Sequence, residues 1–149
     1  MKSKASNYIA LEFPSRSANE GFARTALACF AAQMDPTLNE LEDIKTAVSE
    51  AVTNAIVHGY PDTIGKISIK VRICSDHTLE LTVKDHGRGI SDVEKARMPM
   101  YTTGGEERSG MGFTIMESFM DKLTVRSVPG RGTTVSMRKK LAPRLRAGK

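Results

Sequence analysis

The sequence predicts an α+β two-layer sandwich, with a mixed, mostly antiparallel sheet and helices on one face. Three observations carry that expectation. Residues 66–73 and 79–83 alternate apolar and polar side chains across the short polar link Ser75-Asp76-His77, the pattern of a hairpin with one buried face. Residues 18–34 and 38–58 repeat apolar side chains at helical spacing, each behind a Ser/Thr-x-x-Glu sequence. The order of elements is strand, two helices, two strands, long loop, helix, two strands.

Each element has its own warrant. Ile9, Leu11 and Phe13 alternate with Tyr8, Ala10 and Glu12, which predicts a strand over 8–13. Ser17-Ala-Asn-Glu20 reads as a capping box, and Phe22, Ala26, Leu27, Phe30 and Met34 follow as the buried stripe of a first helix over 18–34. Asp35-Pro36 breaks it. Thr37-Leu-Asn-Glu40 is a second capping box, and Leu38, Leu41, Ile44, Val48, Ala51, Val52 and Ala55 form the stripe of a second helix running to His58, stopped by Gly59. Residues 86–112 are glycine-rich and lack periodicity, apart from a turn or two of helix at 91–97; so long a break between ordered elements signals function or mobility. Phe113–Met120 predicts a helix. Leu123, Val125 and Val128 predict a strand, Pro129-Gly-Arg-Gly132 a turn, and Thr133–Leu141 the last strand.

Composition removes whole classes of function. With 149 residues, 40% hydrophobic and 26% charged, the chain suits one domain with a sizeable core. Its longest apolar run, Ala26–Ala32, is far short of a membrane span, and Asn7 and Glu12 interrupt any leader that Lys2 and Lys4 would open. Cys29 and Cys74 read as buried free thiols of a reducing cytoplasm. The net charge of +5 resides in residues 138–149, which hold six basic residues and no acid. Without those six, sixteen basic residues meet seventeen acidic ones, so residues 1–137 are near neutral; the domain is placed at 1–141 and 142–149 is a basic tail. Aromatic residues are 5% and Trp is absent, which argues against direct nucleic-acid binding through base stacking.

Four polar constellations stand out. Glu50 and Asn54 lie one turn apart on one helix face, with His58 next in the row. A carboxylate there can take a proton, and a carboxamide oxygen can ligate a hard cation. Asp85-His-Gly87-Arg-Gly89 closes a strand with an acceptor beside closely approachable backbone. Ser109-Gly110-Met-Gly112 opens a helix whose first amides suit phosphate. Gly130-Arg-Gly132-Thr133 alone is a hairpin turn. No Gly-Lys-Ser/Thr, no Gly-x-Ser-x-Gly and no His/Cys ligand spacing occurs.

Together, Glu50-x-x-x-Asn54, Asp85-x-Gly87-x-Gly89, Gly110-x-Gly112 and Gly132-Thr133 resemble the four boxes of the gyrase, Hsp90, histidine-kinase and MutL ATP-binding superfamily, over residues 8–141. The resemblance implies the Bergerat fold, with ATP between the helix layer and a lid. Within that superfamily, residues 49–60 and 107–117 are similar to the bacterial anti-sigma serine kinases, above all those of the sigma-F type in endospore formers. It implies a kinase that withholds a sigma factor from RNA polymerase and phosphorylates a STAS-type anti-anti-sigma factor on serine, as a cytoplasmic homodimer using ATP and Mg²⁺. It further implies Asp85 at the adenine amino group with Thr133 in support, Gly87 and Gly89 beside the base, Asn54 on Mg²⁺, and Arg108, Gly110 and Gly112 at the terminal phosphates. Glu50 becomes the general base and Arg24 a partner-facing residue. A general-stress anti-sigma-B kinase, a plain ATPase in which Glu50 activates water, and a non-catalytic nucleotide sensor remain as alternatives.

Overall fold

The computed structural model describes residues 4–98 and 112–142. Five strands form one sheet in the order β1-β2-β3-β5-β4: β1 Ala5–Pro14, β2 Lys66–Cys74, β3 Thr78–Asp85, β4 Lys122–Val128 and β5 Gly132–Lys140. Each described pairing is antiparallel. Helices α1 Ala18–Ala31 and α2 Leu38–Asn54 pack on each other, and α4 Gly112–Phe119 packs on α2; a single turn, α3 Val93–Ala96, precedes the undescribed segment. The two-layer sandwich and its element order follow the sequence expectation.

Register explains the core. Side chains two apart on a strand share a face, so the helix-facing residues line up in rows across the sheet. One row runs Ile9, Val71, Leu81, Met137, Leu123; the next runs Leu11, Ile69, Val83, Val135, Val125. Ile44, Val48 and Val52 of α2 and Leu27 of α1 are fully buried in the same core. Each such side chain contributes about 1.5–3 kcal/mol on leaving water. The opposite face is polar, with Glu80 set between Arg72 and Arg138.

Local chemistry decided which helix starts formed as expected. Thr37 caps α2: its hydroxyl accepts from the Glu40 amide at 3.0 Å, and the Glu40 carboxylate accepts from the Thr37 amide at 2.9 Å. Burial works to raise the Glu40 pKa, but hydrogen bonds from the backbone of Thr37 and Ala142 outweigh it and hold the carboxyl below its ordinary value. The Glu40 carboxylate thereby also anchors the end of the last strand. Thr37→Ala should lower stability by about 1 kcal/mol in urea unfolding, the usual loss for a cap.

The expected box at Ser17 does not form. Ser17 already has helical φ/ψ of −60° and −30° and makes no side-chain cap bond. Glu20 turns instead to α2, where Ser49 donates to it at 2.6 Å, and to Arg24 at 3.4 Å. Two stripe residues are also corrected: Phe22 is 60% and Leu38 82% exposed. Both sit near helix starts, where the neighbouring Ala23 faces inward instead of Phe22, and Leu38 projects past the core. Cys29 is exposed on α1, against the expectation of burial, whereas Cys74 is buried. α1 ends in a 3₁₀ turn, Ala32–Met34, with Asp35 left-handed at φ 54°. α2 widens into a π turn at Ala55–Gly59, which stops where Gly59 was expected to stop it.

Candidate functional site

A third helix-facing row runs Phe13, Ile67, Asp85, Thr133, Ser127. It begins as core and turns polar at Asp85, under the end of the second helix. Asp85 is 5% and Thr133 9% exposed, so both are buried polar side chains on the helix-facing side of the sheet. They line the floor of a cavity of about 340 Å³, bounded by Asn54 and His58 on the α2 side, by Ile90 on the following loop and by Gly112 and Phe113 of α4.

The loop after β3 is held against the π turn that follows α2. The Arg88 amide donates to the Gly59 carbonyl at 2.9 Å, and Arg88 Nε donates to the His58 carbonyl at 3.0 Å. A Cβ on Gly87 would lie 2.0 Å from the Gly59 oxygen, so only glycine allows this approach. Gly89 has φ +77°, and a Cβ there would lie 2.3 Å from the Val128 carbonyl oxygen. Behind the loop, the Tyr60 hydroxyl accepts from the His86 amide at 2.7 Å and donates to the Lys66 carbonyl at 2.7 Å.

Asp85 is consequently fixed. Its Oδ1 accepts from the Gly87 amide at 2.9 Å. Burial pushes its carboxyl pKa above the ordinary value, while backbone hydrogen bonds from Gly87 and Thr133 and the nearby His86 work the other way. A carboxylate accepts several hydrogen bonds, and Asp85 lines the cavity, so it can take a further donor there. A ligand amine or amide is the partner such a floor suits.

Asn54, Asp85, Gly89, Gly112 and Thr133 all line the cavity, although they come from four separate stretches of sequence. Gly87 is not among the residues lining the cavity; its amide holds the Asp85 carboxylate from outside it. The start of α4 packs on the Asn54 carboxamide: a Cβ on Gly112 would lie 2.8 Å from Asn54 Nδ2. Glu50 stands one turn before Asn54 on α2 and is not among the residues lining the cavity. Arg24 sits on α1, outside the cavity, in the pair with Glu20. Arg108, Gly110 and the expected lid over 99–107 lie outside the described residues, as does 143–149 of the basic tail.

Sequence reasoning missed Tyr60, Ser127 and the role of Gly59. Tyr60 and Ser127 act through partners 26 and 37 residues away, and no local pattern marks them. Gly59 looked like a helix stop only, yet a Cβ there would meet the Asp85 carboxyl carbon at 3.0 Å.

Residues 13–139 match the family described as histidine kinase-like ATPase domain. An anti-sigma F factor from a Thermoanaerobacter species (strain X514) is 58% identical over 134 residues, spanning 89% of this chain and 93% of that protein. That of Bacillus subtilis (strain 168) is 54% identical over 138 residues, 91% of this chain and 94% of that protein. The chain belongs to the anti-sigma F factor family. Solved structures place this anti-sigma F family member in a Bergerat-type ATP-binding fold. The RsbU and RsbW domains of Rv1364c from Mycobacterium tuberculosis superpose with a TM-score of 0.68 at 20% identity, covering 91% of this chain and 32% of that longer one. The mycobacterial sensor histidine kinase MprB gives 0.57 at 14% identity, covering 91% of this chain and 100% of that one. Among the described residues, no helix is long and apolar enough to cross a membrane.

Proposed function

We propose that this chain is an anti-sigma factor and ATP-dependent protein-serine kinase of the cytoplasm. It holds a sporulation sigma factor of the sigma-F type away from RNA polymerase and phosphorylates a STAS-type anti-anti-sigma factor on serine. The observation that carries the nucleotide half of this reading is the buried Asp85–Thr133 pair under a cavity of about 340 Å³ that Asn54 borders from α2. The family supports the partner half.

The chemistry of the pocket fits Mg-ATP. Asp85 accepts from the adenine amino group, and Gly89 lets the base lie against backbone. Among the described residues no group of three or more His, Cys, Asp or Glu is placed to hold a metal. Mg²⁺ keeps waters and phosphate oxygens and takes few protein ligands; the Asn54 carboxamide oxygen would be this chain's ligand. When bound, the ion supplies neutralisation of charge on the phosphates. Arg108, Gly110 and Gly112 complete the phosphate contacts. Glu50 orients the acceptor serine and takes its proton. ATP and ADP both fit the floor, since the adenine end is common to them. Arg24 faces the protein partners on α1, and two copies form the working dimer.

Labelled ATP mixed with this protein, a STAS-type partner and the sigma factor tests the reading directly. Phosphoserine on the STAS partner, together with an ATP-dependent complex with the sigma factor, is the expected result. Free phosphate with no labelled protein would reduce the chain to an ATPase. A sigma factor left unbound at saturating ATP would remove the anti-sigma role.

A further inference from the structure

The geometry points to Ser127 as a positioning residue that turns the Thr133 hydroxyl proton away from the cavity, so that the floor selects a 6-amino purine against a 6-oxo purine. The inference rests on the reading of the cavity as an adenine-nucleotide site and adds the residue that sets the polarity of its floor.

The proton count leaves one arrangement. A serine oxygen carries one proton and two lone pairs. Three groups surround Ser127 Oγ. The Ile90 amide, 2.6 Å away, can only donate to it. The Gly132 carbonyl, 3.0 Å away, can only accept from it. The Ser127 proton therefore goes to Gly132, and one lone pair remains. Thr133 Oγ1 lies 2.8 Å away. All three contacts are made only if the Thr133 hydroxyl donates into that lone pair. Its own lone pairs are then the only polar feature it offers to the cavity.

Placement gives this consequence. Ser127 and Thr133 are direct cross-strand neighbours, as are Thr133 and Asp85, so the three polar side chains lie side by side in one row. Asp85 is an acceptor when ionised, and Thr133 becomes a second acceptor beside it. An exocyclic amine has two protons for such a floor, directly or through a water. A 6-oxo group brings a third set of lone pairs and no proton, and its unpaired burial is costly. Without Ser127 Oγ the Thr133 proton is free to turn inward and meet a 6-oxo group. Ser127 also holds the loop after β3 through Ile90, which couples the floor's polarity to the loop that walls the cavity.

The test compares ATP with inosine triphosphate, which carries the 6-oxo group, by calorimetry on the full chain with Mg²⁺. The parent should prefer ATP. Ser127→Ala should cut that preference by about fivefold to tenfold, the worth of one hydrogen bond. Ser127→Thr keeps a hydroxyl at the same place and should keep the preference. A merely structural role would weaken both nucleotides together and leave their ratio unchanged. Where Ser127→Ala fails to fold by circular dichroism, Ser127→Cys replaces it, because a thiol is a weak partner on both counts; the same drop is expected. A ratio within about twofold of the parent in the folded variant, or an equal drop in Ser127→Thr, overturns the inference while the nucleotide reading stands. A parent that binds neither nucleotide overturns the reading of the cavity, and this inference with it.

Discussion

A Glu50→Gln chain should bind Mg-ATP as the parent does and lose phosphoryl transfer to a serine acceptor by about 10²–10⁴-fold. The substitution keeps volume and hydrogen-bonding reach and removes only the basic oxygen. Glu50 is half-buried on α2 and does not line the cavity, so nucleotide contacts should survive its change. Phosphoryl transfer depends mostly on positioning and charge stabilisation, and a base aligned with an incoming hydroxyl contributes the remainder. Filter-bound phosphoserine on the STAS partner measures the transfer, and calorimetry measures the nucleotide. Full transfer by the variant would remove Glu50 as the base. Loss of ATP binding in step with transfer would make it a binding residue instead. The neighbouring Ser49 is bonded to Glu20, which holds Arg24. The proposed base sits one residue from this bridge to α1 but is not part of it, so the variant should still form the sigma-factor complex.

The fold was legible in the sequence wherever one short stretch carries its own signal. Ile67 to Ile73 and Leu79 to Val83 alternate, and the structure pairs them in one antiparallel hairpin. The Thr37 box worked because its residues depend on each other. The Ser17 box has the same pattern and failed, since Ser49, 29 residues from Glu20, offers that carboxylate a stronger partner. Periodicity marks which face of a helix turns inward, but not where the partner surface ends; hence Phe22 and Leu38 are exposed. The site divides in the same way. Asp85, Asn54 and Thr133 were recognisable through spacing and resemblance, and the cavity brings them together. Ser127 and Tyr60 look like ordinary strand and loop residues, because what makes them matter is a contact across the fold.

Asp85→Asn should move binding and stability in opposite directions. Asparagine keeps an oxygen for the Gly87 amide and turns an NH₂ toward the adenine amino group, setting donor against donor. Adenine-nucleotide binding should weaken by about 1–3 kcal/mol. For stability, the raised folded-state pKa of Asp85, caused first by burial, fixes the sign. Between the unfolded and folded values the native state holds more protons than the unfolded chain, so stability falls as pH rises through that window. The contribution of Asp85 is fully present below the ordinary carboxylate range and is lost above the raised folded value; at neutral pH the buried charge is a cost. Without ligand, Asp85→Asn should therefore be at least as stable as the parent in urea at neutral pH, with its relative advantage smaller in acid. A fixed site that is unfavourable until a ligand donor arrives is the form a trade between stability and function takes. Parallel loss of stability and affinity would mean that the carboxylate is structural, and unchanged affinity by calorimetry would take Asp85 out of the nucleotide site.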